Sequence, residues 1–222
     1  MNDFRILIVE DDDDTRQQLV VLFREVFPNA RIDAGGTVDE GLKLIRDAVE
    51  RKEPYDIAIL DFKLPRNRGE NPEVDESLCI EIRDSMPGTL IGHFTGFPDD
   101  SIIKSHVERT HPFTDPRGFF IDKRDENWAT DLLNKTTKYL YTFRIEAQME
   151  QLFGRAGTAA TPPAEYARFS ASGPGVSLTT SIASLCSDIG QCWKYLDGTA
   201  RHRIAAQFSV DESSDPPFVV LK

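Results

Sequence analysis

The chain of 222 residues is 40% hydrophobic and 28% charged, with a formal net charge of −11, a composition typical of globular proteins. Its length favours one domain with an appendage over two full domains, and its acidity disfavours nucleic acid as a partner. Three cysteines without CxxC spacing and four scattered histidines argue against disulfides and a structural zinc site.

No apolar stretch approaches the roughly 18 residues that a membrane-spanning helix needs, so we expect no membrane association. The first residues contain no basic segment before a short apolar run, and acidic residues follow that run directly. This pattern predicts a β-strand rather than a signal peptide. Cytoplasmic residence is the expectation that follows.

The first 141 residues alternate strand-like and helix-like stretches. Short apolar runs predict strands at residues 4–9, 31–34, 56–60, 90–94 and 118–122. Helical periodicity and capping residues predict helices from Asp13 or Asp14 to about residue 27, from the Thr37 cap to about residue 49, at residues 75–84 and 99–109, and from about residue 125 onward. Because strands and helices alternate strictly, we predict a doubly wound parallel α/β sheet with helices on both faces.

The last of these helices is predicted to extend beyond the sheet. Apolar residues recur every three or four positions from Trp128 to Leu140 and continue towards Leu152, so the helix is expected to reach about residue 153. Beyond Tyr141 no sheet remains for this stripe to contact. The stripe therefore implies contact with either a partner chain, such as a second copy in a homodimer, or the C-terminal segment of the same chain.

The remaining residues predict a linker and a small C-terminal module. Residues 154–175 are rich in Gly, Ala, Ser and Pro, which is typical of a linker. Residues 176–222 predict a helix at 181–196 and a β-hairpin with strands at 203–210 and 218–221, an α+β segment too short to hold a large core alone. Residues 142–222 are nearly neutral, which favours an interaction or dimerisation module. A module that contacts DNA directly is the alternative.

Four of the predicted strands end in polar residues. Glu10 and Asp11 follow the first strand, and Asp61, Thr95 and Lys123 lie at the ends of the third, fourth and fifth strands. The carboxyl ends of parallel strands meet at one edge of an open sheet, where such folds bind their ligands. We therefore expect three carboxylates, one hydroxyl and one ammonium to converge at that edge.

This set of groups suits metal-assisted phosphoryl transfer. Carboxylates of Glu10, Asp11 and Asp61 are hard oxygen ligands, which fit Mg²⁺. An aspartate beside Mg²⁺ can attack a phosphoryl group while a lysine and a hydroxyl bind the phosphoryl oxygens. Asp61 stands alone at its strand end and is the predicted nucleophile, with Lys123 and Thr95 as its catalytic partners.

The segments ILIVEDD, YDIAILDFKLP, LIGHFTG and GFFIDK resemble the receiver domain of two-component response regulators, over about residues 3–141 and in the same order. The resemblance implies a flavodoxin-like fold with strand order 2-1-3-4-5. It implies that Glu10 and Asp11 are the acidic pair that binds Mg²⁺ with Asp61, and that the main-chain carbonyl of Lys63 is a further metal ligand. It implies that Asp61 is the phosphoacceptor, that Lys123 is the phosphate-binding lysine, and that Gly96 is the small residue that leaves room for the phosphoryl group. The implied switch residues are Thr95, which supplies a hydroxyl, and the aromatic Phe120.

The resemblance further implies how the chain would act. A sensor histidine kinase, a phosphotransfer protein or a small phosphodonor would phosphorylate Asp61 in the presence of Mg²⁺. The surface formed by the helix at 99–109, the strand at 118–122 and the last helix would then change, and the output would be protein–protein interaction. The domain would also catalyse its own dephosphorylation, without being a metabolic enzyme.

Three features depart from the family pattern. Arg124 replaces the proline that usually follows the lysine, Phe120 lacks the hydroxyl of a tyrosine, and residues 66–74 form an insertion beside Asp61. Two alternative functions stay open. A Mg²⁺-dependent phosphatase or nuclease would need a second acid, often at the position of Lys63, and a pseudo-receiver scaffold would typically lack one of the acids or the lysine.

Overall fold

The computed structural model describes residues 4–86, 88–97, 101, 118–153, 182–196 and 198–222. These residues form two compact units, one containing Met1–Leu133 and the other most of the chain from Asn134 to Lys222. None of the helices among these residues combines the length and the apolar character that crossing a membrane requires.

The first unit alternates strands and helices. In chain order its described elements, including the whole of the last helix, are β1 (Arg5–Val9), α1 (Asp13–Val26), β2 (Arg31–Gly35), α2 (Val38–Glu50), β3 (Ile57–Leu60), β4 (Lys63–Leu64), β5 (Glu73–Val74), α3 (Ser77–Ser85), β6 (Leu90–Thr95), β7 (Gly118–Asp122) and α4 (Trp128–Phe153). The helix predicted at residues 99–109 falls outside the described residues, apart from Ser101.

Five of these strands form one parallel sheet in the order β2-β1-β3-β6-β7. The strands β3 and β6 are buried along their whole length, because their apolar runs face helices on both sides of the sheet. The predicted doubly wound, flavodoxin-like order 2-1-3-4-5 is thus confirmed, with β6 and β7 as the fourth and fifth strands of the sheet.

Local packing corrects several predicted details. The cap of α1 is Asp12, whose side chain accepts from the N–H of Thr15 at 2.8 Å, and not Asp13 or Asp14. Both of those acids lie in the first turn, where the helix dipole favours them. Thr37 caps α2 as predicted, accepting from the N–H of Glu40 at 3.1 Å. The last helix starts at Trp128, a few residues later than predicted.

The apolar spacing in the sequence extends the core faces of α1 and α2 to Val26 and Val49, but these side chains are 36% and 41% exposed. Val20 and Ala48 are buried instead.

The insertion at residues 66–74 belongs to a hairpin that spans residues 63–74. The strands β4 and β5 pair antiparallel, and the carbonyls of Pro65 and Arg66 accept from the first N–H groups of α2 at 3.0 and 3.2 Å. Those N–H groups have no partner within the helix. The insertion therefore completes the N-terminus of α2.

The second unit contains the predicted helix and β-hairpin, together with a second helix. Its described elements after α4 are α5 (Ile182–Cys192), a 3₁₀ turn (Trp193–Tyr195), α6 (Gly198–Gln207), β8 (Phe208–Asp211) and β9 (Phe218–Leu221). The strand predicted at residues 203–210 is wrong for residues 203–207, which belong to α6. Ala200 and Ile204 are both buried, and their four-residue spacing is that of one helix face. The linker predicted at 154–175 lies outside the described residues.

The apolar stripe of α4 contributes to the core of the second unit. Ile145 packs into a buried cluster with α5, α6 and the β8–β9 hairpin, and Met149 packs against its margin. At Ile145 the stripe therefore contacts the C-terminal segment of the same chain, which is one of the two partners that the sequence implies. The side chains of Phe143, Ala147 and Leu152 are outside the described set.

Replacing Ile145 by alanine tests this shared core. The side chain is 1% exposed, so Ile145→Ala should destabilise the second unit by roughly 2–4 kcal/mol through lost burial and the resulting cavity. Urea unfolding followed by the fluorescence of Trp193, in a Trp128→Phe background, measures this loss. The matched control is Ile182→Ala, because Ile182 is 42% exposed. Equal effects of the two substitutions would contradict the assignment.

Candidate functional site

The register of the sheet brings the polar strand ends together. Val9 lies opposite Leu60, and Leu60 lies opposite His93, so the residues that follow these positions are neighbours. The N–H of Asp61 donates to the carbonyl of Val9 at 2.9 Å. At the other side of β6, the N–H of Lys123 donates to the carbonyl of Thr95 at 2.8 Å. The site is thus built on rigid main chain.

Three carboxylates converge at this edge. Glu10, Asp11 and Asp61 each place one oxygen within 4.8 Å of the others. Glu10 is 1% exposed and Asp61 is 9% exposed, while Asp11 is partly exposed. Oxygen ligands at such separations suit a hard divalent cation such as Mg²⁺, which keeps several waters when it binds.

Lys123 lies between two of these carboxylates. Its Nζ is 2.7 Å from Oδ2 of Asp61 and 2.5 Å from Oε2 of Glu10. The ammonium also lies 4.9 Å from the centre of the Phe94 ring, whose face attracts cations. In turn, the Phe94 ring contacts Trp128 at a centroid distance of 5.0 Å. The lysine is therefore held in place by both charge and packing.

Burial and mutual repulsion shift the titration of the site. Burial, followed by the charge of Asp61, raises the pKa of Glu10 from 4.5 to about 7 despite the nearby Lys123. Burial also raises the pKa of Asp61, against the opposing effect of Lys123. For Lys123, burial lowers the pKa, but the carboxylates of Asp61 and Glu10 together raise it above its usual value. The carboxylates are thus more basic than ordinary surface acids, and the lysine stays charged.

The main chain after Asp61 fixes its orientation. The N–H of Phe62 donates to Oδ1 of Asp61 at 2.6 Å, and the N–H of Lys63 lies 3.3 Å from the same oxygen. The main chain of Lys63 therefore lies against the carboxylate of Asp61. The Lys63 ammonium lies 4.2 Å from the centre of the Phe97 ring.

The remaining predicted residues lie beside this cluster. Thr95 is fully buried, and its hydroxyl accepts from the N–H of Phe97 at 3.1 Å. A Cβ atom added to Gly96 would meet no other described residue within 4 Å, its chain neighbours aside, so there is space at Gly96 in the described part of the chain. Phe120 is half-buried on β7, opposite His93 of β6.

Arg124, which stands where the resemblance implies proline, is accommodated by a local turn. Its main-chain N–H donates to Oδ1 of Asp122 at 2.9 Å, and its guanidinium forms an ion pair with the same carboxylate at 3.0 Å. These contacts hold the main chain next to Lys123 without the ring of a proline.

Sequence reasoning missed Arg16, which contacts this site, as well as Phe94 beside Lys123. Nη1 of Arg16 donates to the carbonyl of Glu10 at 2.6 Å and lies 3.4 Å from that of Asp11. The sequence does contain a signal for Arg16, because it is a basic residue near the start of a helix that begins with acidic residues. A positive charge at that end of a helix opposes the helix dipole.

The titration of Glu10 leads to a stability prediction. Its pKa is near 4.5 in the unfolded chain and about 7 in the folded one, so the unfolded chain releases its proton first as the pH rises. Stability is therefore lost between these two values, and the loss is complete at pH 8. Glu10→Gln removes this cost, and in EDTA at pH 8 it should raise the free energy of unfolding by about 2 kcal/mol. At pH 4 the difference should vanish.

Chemical denaturation at both pH values measures the effect, with Glu25→Gln as the control because Glu25 is an exposed residue of α1. A Glu10→Gln chain that is less stable than the native chain at pH 8 would contradict the repulsion described above.

Comparisons with known proteins find similarity among solved structures. No family model matches the chain, and no curated protein matches it. Among solved structures, a CheY-like response regulator receiver domain protein from Methanospirillum hungatei is 23% identical, covers 63% of this chain and 94% of its own, and has a TM-score of 0.48. A response regulator receiver protein from Sinorhizobium medicae is 11% identical, with coverages of 62% and 94% and a TM-score of 0.48.

A third match is the receiver domain of a sensor histidine kinase from Pseudomonas aeruginosa, which holds a magnesium ion in its active-site cleft. It is 17% identical, covers 62% of this chain and 98% of its own, and has a TM-score of 0.45. At these identities the likeness concerns the fold alone. The first unit, with its sheet order of β2-β1-β3-β6-β7, thus resembles response regulator receiver domains in fold, and the chain has a further C-terminal region.

Proposed function

We propose that this chain is a response regulator of a two-component phosphorelay and that Asp61 is its phosphoacceptor. The observation that supports this most directly is the cluster of Glu10, Asp11 and Asp61, with oxygens within 4.8 Å and Lys123 bridging two of them. A structural ion pair needs one carboxylate for one ammonium. Three converging carboxylates at the ligand-binding edge of the sheet fit a site that takes up a cation.

The residues have distinct roles in the proposed reaction. Bound to Glu10, Asp11, Asp61 and the main-chain carbonyl of Lys63, Mg²⁺ would neutralise charge on the phosphoryl oxygens. A carboxylate oxygen of Asp61 forms the new O–P bond as the N–P bond to the imidazole of a phosphohistidine breaks, and the electrons of that bond stay with the imidazole. Phe62 and Lys63 hold the other oxygen of Asp61 through their N–H groups.

The same contacts supply a switch. Phosphorylation removes a full negative charge from Asp61 and places a dianionic group beyond it, so the ammonium of Lys123 follows that charge away from its present position. Thr95 can then donate its hydroxyl to a phosphoryl oxygen, and Gly96 leaves the room for it. In this proposal, movement of Thr95 and Phe120 alters the surface around β7 and the start of α4, and hydrolysis of the acyl phosphate reverses the change.

The partners follow from this chemistry. The phosphodonor would be a sensor histidine kinase or a phosphotransfer protein in the cytoplasm. The output would be protein–protein interaction through the second unit, with homodimerisation as one form of it, rather than contact with nucleic acid. A phosphatase or nuclease of related fold is less well supported, because the position two residues after Asp61 is Lys63 and not a second acid.

Substituting the phosphoacceptor tests the proposal. Acetyl phosphate with Mg²⁺ should add one phosphoryl group to the native chain, and Asp61→Asn should take up none because an amide cannot serve as the nucleophile. Intact-mass spectrometry measures the uptake. Asp14→Asn is the matched control, since Asp14 is an exposed residue of the same acidic run and lies outside the three-carboxylate cluster, and it should be labelled like the native chain. Equal labelling of Asp61→Asn would exclude Asp61 as the phosphoacceptor.

A further inference from the structure

Arg16 of α1 lies directly behind the acidic pair. Its Nη1 donates to the carbonyl of Glu10 at 2.6 Å and lies 3.4 Å from the carbonyl of Asp11, while Nη2 forms an ion pair with Asp13. The side chain is 22% exposed. One guanidinium thus joins the main chain of both residues whose carboxylates face the site.

These contacts restrain the turn between β1 and α1. The guanidinium is planar and presents its donors in a fixed geometry, so carbonyls that bind it cannot rotate independently. The main chain of Glu10 is also held on its other side, where its N–H donates to the carbonyl of Gly35 at 3.1 Å. Fixing the main chain at Glu10 and Asp11 fixes the directions in which their side chains leave it.

The guanidinium lies next to the loop that precedes α2. A Cβ atom added to Gly36 would lie 3.0 Å from Nη1 of Arg16, so glycine leaves the space that the guanidinium fills. The main chain of this loop is itself held, because the N–H of Gly36 donates to Oε2 of Glu40 at 2.7 Å. The other oxygen of Glu40 accepts from Arg68 of the inserted hairpin at 2.9 Å.

We propose that Arg16 is a positioning residue for the metal site, acting through the main chain of Glu10 and Asp11. The inference rests on the proposed function, because it requires that these carboxylates bind a divalent cation. Residues that orient metal ligands commonly contribute about 10- to 100-fold to metal affinity.

The sign of the effect separates positioning from electrostatics. Arg16 is a cation near a cation site, so its charge alone weakens metal binding, and removing that charge would strengthen binding. If Arg16 positions the acidic pair, its removal weakens binding instead. A role in folding alone would lower the free energy of unfolding and leave the affinity of the folded chain unchanged.

Metal titration of the full chain tests the proposal. Mn²⁺ serves as the probe, because electron paramagnetic resonance counts the free ion directly, and Mg²⁺ is then measured by competition. Arg16→Ala should raise the Kd for Mn²⁺ by about 10-fold, and Arg16→Lys should raise it less because one ammonium can still bind a carbonyl. Arg24→Ala is the matched control on the exposed side of α1 and should leave the Kd unchanged.

A second variant keeps the charge of Arg16 and disturbs only its position. Gly36→Ala places a methyl group 3.0 Å from Nη1 and should also raise the Kd, by less than Arg16→Ala. Urea unfolding in EDTA identifies the folded fraction of each variant. A native or lower Kd for folded Arg16→Ala would overturn the positioning role, while a native chain that binds no Mn²⁺ would overturn the proposed function itself.

Discussion

The buried ion cluster at the carboxyl edge of the sheet is the constraint on which the rest of the site depends. Burial of Glu10 and Asp61 in each other's field is unfavourable, and the ammonium of Lys123 between them offsets only part of the cost. Such a cluster lowers the stability of the free protein, a cost that the proposed cation would offset. The contact of Lys123 with Phe94 helps to hold the ammonium between the carboxylates. The proposed phosphorylation of Asp61 would move negative charge outward from the carboxylate and so change the contacts of Lys123.

Much of the first unit was predictable from sequence because its signals are strong and local. Apolar runs long enough to be buried on both faces specify central strands, and strict alternation with amphipathic helices then leaves the parallel sheet as the natural solution. Once that sheet is accepted, the polar residues at the strand ends must share one edge. The convergence of Glu10, Asp11, Asp61 and Lys123 follows from topology and from no local feature of any one segment.

What could not be predicted depends on contacts between segments far apart in the chain. The strands β4 and β5 have only two residues each, too few for any periodicity. The loop after β4 contacts the distant N-terminus of α2 through main-chain carbonyls. The contacts of Arg16 with Glu10 and Asp11 are equally hidden, because they are made to main-chain carbonyls, which leave no signature in the sequence. In the second unit, the boundary between α6 and β8 is set by the burial of Ile204 and Phe208. The apolar character of the segment fits both a strand and a helix.

Under the proposed function, phosphorylation occurs at Asp61 and at no other residue, and chemical trapping tests this directly. After treatment with acetyl phosphate and Mg²⁺, borohydride reduces an aspartyl phosphate to homoserine, and peptide mass spectrometry then locates the reduced residue. We predict homoserine at position 61 alone, with none formed in EDTA. Homoserine at Asp11 or another acid, or formation that is independent of Mg²⁺, would contradict the central claim.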